Sequence, residues 1–333
     1  MTHRQIIVQS LPTGPLTQDN FALREVEASA PGQGEALLRV ILMSIDAANR
    51  AWLQGETYRA AVLAGDPMPT YAVCEVVESR SDRVAVGDIV LSEAVWADYV
   101  VRPAHSLQKM PKVPQLSHLL SVFGIAGRTA FHGLVQVGQP VTGETIVVSA
   151  AAGSVGGYVG QIGKALGCRV VGIAGGPEKC CYVTEDLGFD ACIDYRAGGL
   201  FKALRAACPD GVDVYFDNVG GEILETALAL MNERGRVVCC GAISQYNTDQ
   251  PHGPRNLPGV VVMKRLRMEG FIVTDYARDQ AKATRALQTW VAAGQIKVTE
   301  DIVEGLENAP AALIGLLEGD NTGKRMVRVG PDP

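Results

Sequence analysis

The sequence predicts an α/β protein: a doubly wound parallel sheet set into a β-rich domain. Three observations carry that prediction. From Thr145 onward, apolar strand-like runs alternate with helical periodicity, the pattern of right-handed βαβ units. Before about residue 120 the text is short β-type runs broken by turn residues, with little helical periodicity. After residue 300 a short helix and a last strand return, and these are expected to rejoin the first domain.

In the N-terminal part the strand runs are Gln5-Ile-Ile-Val-Gln9, Glu35-Ala-Leu-Leu-Arg-Val-Ile-Leu42, Ala72-Val-Cys-Glu-Val-Val77 and Ile89-Val-Leu91. Lys109-Met-Pro-Lys-Val-Pro114 punctuates the chain before its first long helical stretch. The central sheet is expected from strands at 145–150, 169–174, 191–195, 212–217, 236–240 and 268–273, followed by a helix over 279–293 and a strand over 325–329. The domain boundaries read from this are 1–122 plus 296–333 for the β-rich part and 123–295 for the sheet.

Composition narrows the function class. With 333 residues there is room for two ordinary cores, and 47% apolar against 20% charged residues is a globular balance. A net charge of −6 with no basic run argues against a nucleic-acid partner. No apolar run nears the roughly 20 residues that span a bilayer, and Met-Thr-His-Arg-Gln lacks an apolar signal core, so a cytoplasmic protein is expected. The eight cysteines include the adjacent pairs Cys180-Cys181 and Cys239-Cys240, poorly placed for disulfides, and reduced core thiols are expected.

The most informative stretch is Thr145-Ile-Val-Val-Ser-Ala-Ala-Ala-Gly-Ser-Val-Gly156. It reads as a buried strand, a tight glycine turn and a helix N-terminus, which is a pyrophosphate site for a dinucleotide. Val155, Val159, Ile162 and Leu166 form one helical stripe, with Gly156, Gly160, Gly163 and Gly167 beside it. A glycine costs about 1 kcal/mol against alanine inside a helix, so the second stripe predicts close packing of helix on sheet. Ala151 stands where many such turns carry their first glycine. About 20 residues on, where an NAD site carries an acid for the ribose, the chain reads Ala174-Gly-Gly-Pro-Glu-Lys179. A lysine and free helix amides there suit a 2′-phosphate, so NADP(H) is preferred to NAD(H).

The chain resembles the zinc-independent branch of the medium-chain dehydrogenase/reductase superfamily. Within it, the likeness is to the leukotriene B4 12-hydroxydehydrogenase, prostaglandin reductase and alkenal double-bond reductase group. It rests on Gly127-Arg-Thr-Ala-Phe131, Ala150-Ala-Ala-Gly-Ser-Val-Gly156, Gly176-Pro-Glu-Lys179, Phe216-Asp-Asn-Val-Gly-Gly221, Cys240-Gly-Ala-Ile-Ser-Gln-Tyr246, Leu266-Arg-Met-Glu-Gly-Phe271 and Gly319-Asp-Asn-Thr-Gly-Lys324. The resemblance implies a Rossmann domain inserted into a GroES-like domain, and NADPH-dependent reduction of the C=C bond of α,β-unsaturated ketones or aldehydes. Zinc is not expected: no cysteine stands before Cys74 and no Cys-x-x-Cys occurs.

The same resemblance assigns roles. Tyr246 matches the tyrosine beside the substrate carbonyl and is expected to donate to the developing enolate; a simple loop anchor is the other reading. Cofactor contacts are implied for Thr129, Ala152, Gly153, Ser154, Val155, Gly156, Gly175, Asn218, Cys240, Gly241, Ile243, Ser244, Phe271, Ile272, Val273 and Asn321. Lys179 and Tyr195 match positions that reach the 2′-phosphate. Asp217 could be a structural cap, and His132 a packing residue.

Departures lie on the substrate side. Relatives commonly read Asp-Pro-Tyr-Met-Arg where this chain has Asp46-Ala-Ala-Asn-Arg50, so Asn49, Arg50 and Tyr58 are candidates to shape a different pocket, Arg50 being as readily a structural ion-pair residue. Met263 replaces a tyrosine of some relatives, and Pro251-His-Gly-Pro-Arg-Asn-Leu-Pro258 is long enough to cover a pocket. Two alternatives remain at this level: a quinone reductase of the same fold, and an NADPH-binding protein without turnover. A homodimer through the edge strand at 268–273 is expected by analogy.

Overall fold

The structure is a computed structural model and describes every residue except 112–114, 249 and 251. The last residues of the Pro-punctuated segment and the first of the 251–258 loop therefore lie outside the described residues. In chain order the strands are β1 (Thr2–Val8), β2 (Phe21–Glu27), β3 (Glu35–Ser44), β4 (Pro69–Ser79), β5 (Ile89–Val95), β6 (Tyr99–Pro103) and β7 (Gln108–Met110). Then come β8 (Thr145–Ser149), β9 (Arg169–Ala174), β10 (Ala191–Asp194), β11 (Val212–Asp217), β12 (Met231–Cys239) and β13 (Arg267–Gly270), and finally β14 (Glu300–Glu304) and β15 (Lys324–Arg328). They form two compact units, Met1–Leu120 with Glu300–Pro333, and Ser121–Thr299.

In the first unit β1 and β2 pair antiparallel, and a second sheet runs β14-β15-β3-β4-β5-β7, with β6 also on β3. Its core holds Leu38, Val40, Met43, Met68 and Trp96 together with Leu313 and Val327, so the C-terminal segment completes the fold begun by the N-terminal one. Strands β2, β6, β7 and β14 escape the sequence pattern. Phe-Ala-Leu-Arg-Glu-Val-Glu and Glu-Asp-Ile-Val-Glu are charged edge strands with few buried positions, so they lack the apolar alternation that betrays a strand.

The second unit is one parallel sheet in the order β10-β9-β8-β11-β12-β13. Sequence order reverses between β8 and β11, the switch point where crevices open at the carboxyl ends of strands. All six expected strands are present; β12 starts five residues early through its polar Asn-Glu-Arg segment, and β13 ends at Gly270, before Phe271. The helix after the glycine turn is Ser154–Ala165, and its glycines serve different ends. A Cβ at Gly163 would stand 2.9 Å from Ile146 of the sheet, but at Gly160 it would enter the Phe189 ring. Gly167 is not helical at all. Its φ of +80° makes it the left-handed C-terminal cap, with Gly167 N–H bonded to Lys164 O and Cys168 N–H to Gly163 O, both at 3.0 Å. The single stripe read from periodicity is thus a turn contact, an aromatic seat, a sheet contact and a cap.

The cysteines are all free, but only Cys74, Cys168 and Cys208 are buried core thiols; Cys181 is exposed and the other four are half-buried. Cys181 follows Cys180 on the short helix Pro177–Cys181, in which no residue is fully buried. No described helix is long and apolar enough to cross a membrane.

His132 opens π-helical turns over His132–Gly138 and is wholly buried, stacked on Tyr276 with ring centroids 4.6 Å apart. Its Nδ1 meets Gln136 Oε1 at 3.0 Å. Burial holds the imidazole pKa below its ordinary value, against the opposing effect of the Gln136 hydrogen bond. The unfolded chain therefore binds a proton near pH 6.5 that the folded chain refuses, so stability present above that pH is lost as pH falls below it. The expected result is an unfolding free energy that drops more steeply from pH 7 to 5 in the parent protein than in His132→Phe, by at most about 1.4 kcal/mol per pH unit, measured by denaturant unfolding. Parallel pH profiles for the two proteins would remove His132 as the cause.

Candidate functional site

The glycine turn is built by backbone crowding. Ala150, just after β8, sits in the left-handed region at φ +51°, and its carbonyl accepts Gly153 N–H at 2.9 Å. A Cβ at Gly156 would lie 2.3 Å from Ala150 O, so only glycine lets the helix start this close to the strand. The glycine absent at 151 is offset across the sheet: a Cβ on Gly172 of β9 would stand 2.8 Å from the Ala151 methyl. Gly153 is the N-cap, with Ser154, Val155 and Gly156 in the first turn, whose N–H groups have no partner within the helix. Ser154 Oγ is buried and has no hydrogen-bond partner among the described residues. A closed cradle, an orphaned hydroxyl and a helix N-terminus fit a pyrophosphate, and Ala152 lies at the turn.

The carboxyl ends of β8 and β11 are organised by Asp217, the last residue of β11. Its Oδ1 accepts Tyr215 Oη–H at 2.8 Å, Gly220 N–H at 2.9 Å, Val219 N–H at 3.0 Å and Ser149 Oγ–H at 3.3 Å. Burial pushes this carboxyl above the usual carboxylate range, and the backbone N–H groups and hydroxyls oppose the shift. Asn218 is locked beside it, with its N–H on Ser149 Oγ at 2.9 Å and its Nδ2–H on Ser149 O at 2.8 Å.

The loop after β12 is latched to that turn. Cys240 and Gly241 donate their N–H groups to Asp217 O, Ile243 N–H reaches Asn218 O, and Ser244 Oγ–H reaches Val219 O at 2.6 Å. Tyr246 ends the short helix Ile243–Tyr246, and its Oη accepts Ala242 N–H at 3.2 Å. Asn218, Cys240, Gly241, Ile243, Ser244 and Tyr246 are therefore one cluster at the carboxyl ends of β11 and β12. Phe271 packs its ring on Phe216 near Gly133, and Ile272 and Val273 follow it into a 3-10 helix. Thr129 is buried in the helix Ile125–Phe131.

A second cluster surrounds the end of β9. A Cβ on Gly175 would lie 3.1 Å from Tyr195 Oη and 2.9 Å from Arg196 Nε, so both side chains fold back over this glycine. Asp194 Oδ1 accepts N–H from Gly176 at 2.8 Å and from Arg196 at 2.9 Å, and those backbone bonds hold its carboxyl below the usual range. Lys179 follows on the helix Pro177–Cys181. Arg196 and Ser149 were missed in the sequence. Arg196 had a signal, a cation directly after a strand-end aromatic; Ser149 had none, since it reads as one more strand residue.

In the first unit the substrate-side candidates are largely used by the fold. Asn49 is buried, accepting Asp46 N–H at 2.8 Å and donating to Pro69 O at 3.0 Å. Arg50 is buried and donates to Gly14 O at 3.0 Å; burial lowers its pKa. Tyr58 is exposed, with its Oη on Trp52 Nε1–H at 3.3 Å. Asn321 is a buried turn residue donating to Gly323 O at 2.9 Å. Three residues on, Lys324 is buried and pairs with Asp46 Oδ1 at 2.6 Å and Ile45 O at 2.9 Å. Among the described residues no three His, Cys, Asp or Glu side chains are grouped to hold a metal ion.

Two family models match the chain, the N-terminal domain of oxidoreductase over residues 4–110 and the zinc-binding dehydrogenase over residues 154–289. The NADPH-dependent curcumin reductase of Escherichia coli (strain K12) is 43% identical over 99% of this chain and 98% of its own length. Prostaglandin reductase 1 of Rattus norvegicus is 42% identical over 94% of each. The solved structure of CurA in complex with NADPH from Vibrio vulnificus, 41% identical, superimposes with a TM-score of 0.95 over 99% of this chain and 100% of that one. With the inserted parallel sheet, its glycine turn and these full-length likenesses together, the chain belongs to the medium-chain dehydrogenase/reductase superfamily, in the zinc-independent reductase group of curcumin and prostaglandin reductases.

Proposed function

We propose that this protein is an NADPH-dependent reductase of the C=C bond of α,β-unsaturated ketones or aldehydes, with Tyr246 as the group that stabilises the developing enolate. The observation that carries the reading is the Tyr246 hydroxyl held at the carboxyl ends of β11 and β12, beside Gly241, in a chain homologous to such reductases over nearly its whole length. NADPH, when bound, supplies the hydride that adds to the β-carbon.

What the chain adds is geometry and polarisation. Because Tyr246 Oη accepts Ala242 N–H, electron density is drawn from the phenol oxygen and its own O–H becomes a stronger donor. Such a donor is most effective where charge appears during the reaction, here on the carbonyl oxygen. Ala152 to Gly156 would hold the pyrophosphate. Asn218, Cys240, Gly241, Ile243, Ser244, Thr129, Phe271, Ile272, Val273 and Asn321 would position the nicotinamide half, and Gly175, Lys179 and Tyr195 the 2′-phosphate. Asn49, Arg50 and Tyr58 remain proposed as shapers of the substrate side, the first two by fixing the 46–50 loop rather than by direct contact.

The test is NADPH consumption with enones, enals, quinones and saturated ketones as separate substrates. Enones and enals are expected to turn over and saturated ketones not. Turnover of quinones alone would replace this reading with a quinone reductase, and binding without consumption would make the protein a nucleotide binder only. A dimer through β13 is also proposed: this strand is a sheet edge, and Val262 and Met263 nearby in sequence are exposed. Light scattering at twice the 35.3 kDa chain mass is the expected result. The cytoplasm is the proposed location, which eight free thiols suit.

A further inference from the structure

We infer that Arg196 is a specificity-determining residue for the 2′-phosphate, acting with Lys179 as the second of two cations that distinguish NADPH from NADH. The inference rests on the NADP(H) reading above and adds to it a residue that the family likeness did not supply. Three observations carry it. First, Asp194 of β10 pairs in register with Ala174 of β9, so the turn at Tyr195 and Arg196 is level with Gly175 and Gly176, where the adenosine ribose of a dinucleotide lies in this sheet type.

Second, Arg196 is aimed there. Its Nε is 2.9 Å from where a Gly175 side chain would begin, and its guanidinium carbon is 5.8 Å from the Tyr195 ring centroid. Asp194 holds this arrangement from below by accepting the N–H of both Gly176 and Arg196. The turn is therefore prearranged by backbone bonds, which fix where the Arg196 side chain leaves the chain.

Third, the local charge balance favours it. Asp194 carries its carboxylate at this strand end, Glu178 and Lys179 follow on the helix Pro177–Cys181, and without Arg196 these three residues sum to one negative charge. A phosphate carrying nearly two negative charges would meet net repulsion there. With Arg196 the site is neutral, and a planar guanidinium can take two phosphate oxygens at once. NADH, which has only ribose hydroxyls at this point, is indifferent to the difference.

The experiment is equilibrium binding of NADPH, NADH, 2′,5′-ADP and 5′-ADP to the parent protein, Arg196→Ala and Arg196→Lys, followed by calorimetry or nucleotide fluorescence. Arg196→Ala is expected to weaken NADPH and 2′,5′-ADP about 10-fold and to leave NADH and 5′-ADP within about twofold, a difference near 1.4 kcal/mol. Arg196→Lys is expected to restore most of the loss. Because Arg196 is exposed, the variants should keep the parent melting temperature. Equal weakening of all four nucleotides would place Arg196 against the adenine and overturn the inference, as would an unchanged NADPH-to-NADH ratio. A parent protein that does not prefer NADPH would instead overturn the cofactor reading itself.

Discussion

Replacing Tyr246 by phenylalanine is expected to slow enone reduction by about 10- to 100-fold while NADPH affinity stays within about twofold. Removing one donor to an oxyanion costs on the order of 10²–10³ in buried enzyme sites, and the lower figure suits a loop tyrosine that is only half-buried. In free energy the range is about 1.4 to 2.7 kcal/mol of transition-state stabilisation. The substitution keeps the aromatic ring and removes only the oxygen, which accepts Ala242 N–H and is the Tyr246 atom nearest Gly241. Single-turnover hydride transfer with an enone is the direct measurement, because it separates chemistry from product release. A quinone, whose reduction depends less on one carbonyl donor, should lose less in the same variant. Unchanged enone turnover in Tyr246→Phe would leave the residue as a loop anchor.

Gly156→Ala is expected to weaken NADPH binding by about 10- to 100-fold and to lower stability. The added methyl would lie 2.3 Å from Ala150 O and 2.9 Å from Ala150 C, and both atoms are backbone. Ala150 already occupies left-handed φ, so the strand end cannot retreat without moving the turn itself. Overpacking of this kind costs about 1–3 kcal/mol, and because it falls on the donor groups of the cradle it appears in nucleotide affinity as well as in folding. Gly157→Ala is the matched control. There the methyl would meet Leu187 Cδ1 at 3.2 Å, the tip of a flexible side chain, and affinity within about threefold of the parent is expected. NADPH affinity that is equal in the two variants would mean that the turn does not form the cradle.

Particular residues show why some of the site was legible and some was not. Gly153, Gly156 and Lys179 could be proposed from the sequence because each is tied to a local event, a turn or a helix start, whose chemistry depends on residues a few positions away. The motif around Cys240 to Tyr246 could be proposed only by likeness to other chains. Nothing in its own spacing says that Gly241, Ile243 and Ser244 bond back to residues 217–219. Asp217 was open between cap and contact, and its four bonds from Ser149, Tyr215, Val219 and Gly220 make it a cap. Asn49 and Arg50 looked like pocket residues because they are polar in a divergent loop, yet their partners Pro69 and Gly14 are 20 and 36 positions away.

By itself the sequence determined the six strands of the parallel sheet in chain order, the alternation that makes that sheet parallel, the glycine turn after β8 and the family. These are written in local periodicity and in residue types that few other backbones can use. Only the tertiary structure decided which glycine meets what, which polar side chains are consumed by the fold, and that Tyr195 and Arg196 lie over Gly175. The physical reason is that strand register brings together groups about 20 residues apart in β9 and β10, or nearly 70 apart in β8 and β11, and a pattern read along the chain carries no term for such pairings.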